Sequence, residues 1–507
     1  MFKSKSPINQ TCDKILQNIF FNKTFRAVII ILCLTIIFFS IRLIFTFDSA
    51  HYLSYVEIFE GNLPTSSWDI VRGPIFPLLI FLSNTIFGKT STGFLICTFL
   101  FYLVFIYTCY KILFEICKNV KYGQYIKYFI LLYLIFNPLI LGYFHVMLTE
   151  FVAITIFILN IFITYKWLKI DYKNKLSAII YALYFIVCGI FCYHLKQPYI
   201  LIAFLPLIFG TILTLIHHHD VGNILYRLGT IVLSGIFLLL SIITWDKIID
   251  HMGADTNTGR DSGSMLAAQI LHAYNITPPS DTTLTTGAAI GIFINELISN
   301  PSHIFGAYFM NYCGMSSVCQ VESANGAEYF PTSRLDFLET WENSSIAYHA
   351  FYNYSNIFSM PDNLKARVMP YGESEHPGLI AKSIRLTETF TNILFKITVW
   401  LAPICLLVLI IFRFKSHHGD NVFRLSFLLL SSSASFLIIA AGLGLIIDRY
   451  AVESFIPTIL GTTSTIIYII SYYNSKTFAP NITVPKDKSP SRSSAQVKKT
   501  KRSSNHA

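Results

Sequence analysis

Runs of apolar residues, many of them about 20 long, recur from Arg26 almost to Tyr473. A helix rising 1.5 Å per residue needs roughly 20 such residues to cross about 30 Å of hydrocarbon. Inside lipid every backbone polar group must be satisfied by the chain itself, which leaves only helices and closed barrels. Barrel strands alternate over segments of about 10 residues, whereas these runs are continuous. The expected fold is therefore all-α and polytopic, with about ten transmembrane helices. With 53% hydrophobic and only 13% charged residues, an ordinary soluble domain is excluded.

Apolar runs with basic flanks predict helices over 26–47, 92–117, 125–148, 150–168, 176–195, 198–216, 228–246, 389–413, 423–446 and 451–473. A formal charge of +10 would suggest nucleic acid if it formed one patch, but the cations sit at helix ends and in the tail. Lys3, Lys5, Lys14, Lys23 and Arg26 precede the first span, and Lys486, Lys488, Arg492, Lys498, Lys499, Lys501 and Arg502 close the chain. Basic flanks stay in the cytoplasm, so both termini are assigned inside and the first span reads as a retained signal anchor. Ten crossings then put Lys118, Lys121, Lys127, Lys166, Lys169, Arg227, Arg413 and Arg424 on the same inner side.

The 15-residue apolar stretch Pro74 to Gly88 spans only about 22 Å as a helix, so it is laid along the outer interface. Five parts follow: an N-terminal cytoplasmic segment (1–25); a first transmembrane module (26–246) holding an outer loop (48–91); an extracytoplasmic insert (247–386), expected to be helical; C-terminal transmembrane helices (387–475); and a disordered basic tail (476–507). Most of the ten cysteines lie in apolar runs, where Cys behaves as a small hydrophobe. Cys313 and Cys319 fall in the insert and can close a small disulfide loop outside the cell; two free thiols are the alternative.

Chemistry-bearing side chains gather at the outer helix ends. If a helix continues past Phe47, spacings of three and four put Asp48, His51, Tyr52 and Tyr55 on one face, leaving Leu53, Val56 and Phe59 for the membrane. The bland alternative is a solvated helix end. Glu150 opens the fourth span on the same side, where it serves either chemistry or merely the helix dipole. Arg72, Lys196 and Arg449, followed by Tyr450, bring cations and a phenol to this side. Cations are what a lipid phosphate requires, although snorkelling to headgroups explains them too.

In order, Asp48 followed by Tyr52, Arg72-Gly-Pro-x-x-Pro77, Leu148-Thr-Glu150, Lys196-x-Pro198 and Arg449-Tyr450 with Pro457 resemble the polytopic C-class glycosyltransferases of the protein O-mannosyltransferase and aminoarabinose-transferase type. The resemblance covers about the first 215 residues and the last crossings; the insert is unmatched. Ser49 stands where the family usually has a second acidic residue, and Lys196 where many relatives carry Arg. It implies a polyprenyl-phosphate sugar donor and an extracytoplasmic acceptor: lipid A, a surface polysaccharide or a protein. The expected location is a bacterial inner (plasma) membrane. In that reading Asp48 is the base, Glu150 orients the acceptor, and His51, Tyr52, Arg72, Lys196, Arg449 and Tyr450 hold substrate. Membrane lipids are partners and nucleic acid is not.

His51 with one carboxylate falls short of a metal ligand set, so no obligatory metal is expected, though a divalent ion at this place is possible chemistry. His217-His-His219-Asp220 reads as a cytoplasmic surface loop. Ser431, Ser432, Ser433 and Ser435 are expected to bond backbone carbonyls or aid helix packing. No Walker loop or dinucleotide fingerprint occurs. Two other functions share the architecture: a surface-polysaccharide polymerase or ligase, and a lipid-linked-sugar transporter. The latter usually shows internal repeats and charges near mid-membrane.

Overall fold

The computed structural model describes residues 23–41, 43, 45, 47–68, 72–217, 220–253, 270–279, 285–315, 366–367, 371, 388–415, 420–443 and 448–477. Among them every extended regular element is helical: α1 (Lys23–Phe39), α2 (Phe47–Phe59), α3 (Ile75–Phe87), α4 (Ser91–Cys117), α5 (Gly123–Ile135), α6 (Pro138–Phe144), α7 (Glu150–Trp167), α8 (Lys175–Leu195), α9 (Ile200–His217), α10 (Val221–His251), α11 (Thr286–Ser299), α12 (Pro301–Met315), α13 (Glu388–Lys415), α14 (Asp420–Gly442) and α15 (Asp448–Thr477). Eight of these are long and apolar enough to cross a membrane, and the bent pair α5–α6 makes a ninth. The chain is a polytopic membrane protein. The N-terminal segment and the basic tail lie almost wholly outside the described residues.

Two expected helices are broken. The first ends at Phe39 instead of continuing to Phe47, and Ile41, Leu43 and Phe45 beyond it are buried outside any helix. The helix predicted over 125–148 bends by 49° between α5 and α6. Pro138 lacks the N–H that would continue α5, and Asn137 caps α6 by accepting from the Ile140 N–H at 3.0 Å.

Within the spans, Pro206, Pro403 and Pro457 each leave a carbonyl without its helical partner, and for the first two a neighbouring helix supplies the missing donor. Pro206 in α9 frees the Ile202 carbonyl, which accepts from Asn160 Nδ2 of α7 at 2.8 Å. Pro403 in α13 frees that of Val399, which accepts from the Tyr312 hydroxyl of α12 at 2.7 Å. In lipid such bonds hold helices in register as well as satisfying the backbone. The second one seats α12, part of the expected extracytoplasmic insert, against the C-terminal helices.

Among the long spans α7 and α14 are the most buried, α7 being packed by α4, α9, α14 and α15, while α8 and α10 turn most of their surface outward. Small residues let α14 and α15 approach closely. Gly461 sits against Leu430, Ser433 bonds the Ser454 carbonyl at 3.0 Å, and Ser426 bonds Ser464 at 2.5 Å. Ser431 bonds the Phe427 carbonyl at 2.5 Å, so this hydroxyl run largely serves packing.

The 18 residues of α7 separate two polar ends by about 27 Å. At one end Glu115 gathers Lys118 at 3.0 Å, Lys166 at 2.7 Å and Lys169 at 3.8 Å. Nearby, Arg227 donates to the Trp167 and Leu168 carbonyls and so caps the C-terminus of α7. At the other end lies Glu150.

Candidate functional site

The site is assembled by tying short segments to one another at the Glu150 end of the bundle. Ser49, in the first turn of α2, donates to the Met147 carbonyl at 2.9 Å. The His145 ring bridges the carbonyls of Leu141 at 2.6 Å and Phe38 at 2.9 Å. The end of α1, the start of α2 and the turn leading into α7 are thereby one unit, and Asp48 and Glu150 share one end of the molecule.

Trp68 anchors the segment carrying Arg72. Its ring packs between Tyr55 and Phe59 of α2 and Trp245 of α10, and its Nε1 donates to the Arg72 carbonyl at 3.1 Å. Next comes Gly73, where an added Cβ would lie 1.9 Å from the His194 carbonyl oxygen. Only glycine permits the loop to approach the end of α8 this closely. Lys196 follows two residues after His194 in extended backbone, before the turn Gln197–Tyr199.

Two ion pairs result. Arg72 contacts Asp48 Oδ1 at 3.0 Å, with side chains 24% and 28% exposed. Lys196 contacts Glu150 Oε1 at 3.5 Å, with 18% and 1% exposed. Tyr52 lies between them: the Arg72 guanidinium stands 4.8 Å from its ring centroid, and its hydroxyl feels the charges of Arg72, Lys196, Asp48 and Glu150. Burial holds the Tyr52 phenol above its ordinary range, against the opposing pull of Arg72 and Lys196. For Arg72 burial acts to lower basicity, but Tyr52 and Asp48 outweigh it and hold the guanidinium above its ordinary value. The pairs thus form a rim reachable from solvent over a buried acidic floor.

Expectations about the faces of α2 need correction. His51 is exposed and not on the inward face with Tyr52 and Tyr55, because the helix turns positions 48, 52 and 55 toward the bundle. Leu53 and Val56 face protein rather than lipid; both are buried, since α3 and its loop cover α2. Phe59 is partly exposed and packs on Trp68 and Phe81. Arg449 and Tyr450 lie in the first turn of α15, but their side chains are outside the described ones. Among the described residues no group of three or more His, Cys, Asp or Glu is arranged to hold a metal. Cys313 is disulfide-bonded, and its partner lies outside the described residues, as Cys319 does.

The structure adds Glu453, which the pattern of outer-end charges overlooks. It lies in α15, one turn after Arg449, is fully buried, and is close enough to Glu150 and Lys196 to feel both charges. The Tyr199 hydroxyl approaches it, and among the described residues neither carboxyl oxygen has a hydrogen-bond partner of ordinary geometry. An acidic residue inside an apolar helix is itself a functional signal, and it is visible in the sequence. Thr149 and Tyr199 join the cluster: the Thr149 hydroxyl lies 3.4 Å from Glu150 Oε2 and 3.3 Å from the Tyr199 hydroxyl.

Comparison with protein-family models, curated proteins and solved structures gives no match.

Proposed function

We propose that the protein is an inverting glycosyltransferase that moves a sugar from a polyprenyl-phosphate donor to an acceptor outside the cytoplasm. The observation that carries this reading is the convergence of the Arg72–Asp48 and Lys196–Glu150 pairs around Tyr52. Two cations at a solvent-reachable rim suit a lipid phosphate, and a carboxylate held by one of them suits a base. When the donor phosphate binds Arg72 and Lys196, Arg72 exchanges Asp48 for phosphate oxygen and releases the carboxylate. The acceptor oxygen then attacks the anomeric carbon from the face opposite the phosphate. Its proton passes to Asp48, while the sugar–phosphate bond breaks with its electron pair going to the departing lipid phosphate. A positioned base contributes about 10²–10⁴ in rate, and the cations stabilise the leaving anion.

The resemblance to C-class glycosyltransferases supports the same reading. So does the disulfide at Cys313, since disulfides persist in oxidising compartments. Lys118, Lys166 and Lys169 at the far end suit the cytoplasmic side. The proposed location is a bacterial inner membrane, with both termini cytoplasmic and the Asp48 end outside. The acceptor is lipid A, a surface polysaccharide or a protein.

The test is transfer from a polyprenyl-phosphate sugar in isolated membranes. Asp48→Asn should abolish transfer while the protein still inserts and elutes as wild type; undiminished transfer removes Asp48 as base. Glu453 favours a second reading, a proton-linked carrier, because buried acids in spans often belong to proton relays. Liposomes separate the two: a carrier moves lipid-linked sugar with protons and leaves the sugar–phosphate bond intact.

A further inference from the structure

The cluster behind the rim contains two buried carboxyls, Glu150 and Glu453, and one ammonium, Lys196. Glu150 has Lys196 at 3.5 Å and the Thr149 hydroxyl at 3.4 Å. Among the described residues, neither Glu453 oxygen has a hydrogen-bond partner of ordinary geometry, and the side chain has no exposure to water. A bare carboxylate in such a place is strongly disfavoured, because neither solvent nor an ion-pair partner among the described residues offsets its desolvation. Among the described residues, the charged and titratable groups that act on it are Glu150 from α7 and Lys196 and Tyr199 from the α8–α9 junction. Geometry also connects the two acids, since Thr149 lies within 3.4 Å of Glu150 and 3.3 Å of Tyr199, whose hydroxyl approaches Glu453.

We propose that Glu453 carries a proton in the resting protein and exchanges it with Glu150 through Tyr199 and Thr149, so that the two carboxyls act as one proton-holding pair. In the exchange the Glu453 O–H bond breaks as one on Glu150 forms. Each hydroxyl between them receives one proton and passes one on, so the net charge of the cluster does not change. The inference stands on buried geometry and does not require the transferase reading, because the same pair would serve proton-linked transport. Glu453 is on either account a positioning residue for protons, distinct from Asp48 at the rim.

Infrared spectroscopy of the full-length protein in detergent or lipid tests it without any substrate. The wild type should show the carbonyl stretch of a protonated carboxylic acid. Glu453→Gln should lose that band, Glu453→Asp should move it, and Asp48→Asn should keep it. Should Glu453→Gln fail to fold, the frequency shift in Glu453→Asp carries the assignment. Tyr199→Phe should retain the band but slow its deuteration in D2O. Absence of any carboxylic-acid band that responds to position 453 overturns the protonated state. Deuteration in Tyr199→Phe as fast as in wild type overturns the relay. Because neither readout involves sugar transfer, a protein without transferase activity can still satisfy both.

Discussion

Gly73→Ala tests whether the site depends on the close approach of the Arg72 loop to the end of α8. The new Cβ would stand 1.9 Å from the His194 carbonyl oxygen, whereas ordinary contacts begin near 3.4 Å, so the two backbones must part by about 1.5 Å. The obstacle is backbone rather than the tip of a flexible side chain, and the loop is held behind by Trp68. Overpacking of this kind costs about 1–3 kcal/mol. The functional loss should exceed the loss of stability, because the displaced loop carries one rim cation while the other lies two residues past His194. A misplacement of about 1 Å in a reacting constellation costs on the order of 10²-fold. The assay is transfer from polyprenyl-phosphate sugar alongside thermal unfolding in detergent. A variant that retains wild-type transfer, or whose loss of transfer is matched by global unfolding, refutes the reasoning.

Lys196→Gln should destabilise the protein by about 3 kcal/mol, because it leaves Glu150 buried without its cation, and adding Glu150→Gln should restore part of that; thermal melts of the single and double variants decide it. Glu115→Gln removes the carboxylate on which three lysines converge, so stability should fall by about 1 kcal/mol and more at low salt, while sugar transfer is unchanged because the site is at the other end of α7. The Tyr52 phenol, raised by burial, favours folding fully below its unfolded value of about 10, and this contribution is lost as pH rises toward its folded value. Tyr52→Phe should therefore flatten the alkaline limb of a melting curve measured against pH, and an unchanged limb contradicts the assignment.

The spans were legible because hydrophobic run length is set by the bilayer, and α4, α7, α8 and α9 begin and end within about two residues of their expected bounds. The breaks were harder. Pro138 was visible, yet the run continues through it, and the buried Ile41, Leu43 and Phe45 beyond the first helix have the same composition as a helix. Among site residues, Asp48, Arg72, Glu150 and Lys196 could be collected because each follows or opens an apolar run on one side. Their pairing could not be read, because it depends on Gly73 meeting His194 and on Ser49 meeting Met147, contacts between segments far apart in the chain. Glu453 was missed for a different reason: attention to helix ends passes over an acid one turn inside a span.

The most direct measurement is a structure determined in lipid with a polyprenyl phosphate added. Phosphate density between Arg72 and Lys196, with the 3.0 Å contact between Arg72 and Asp48 opened, is the expected result. Density only among Lys118, Lys166 and Lys169, or an intact Arg72–Asp48 pair with no phosphate beside it, would contradict the proposed site.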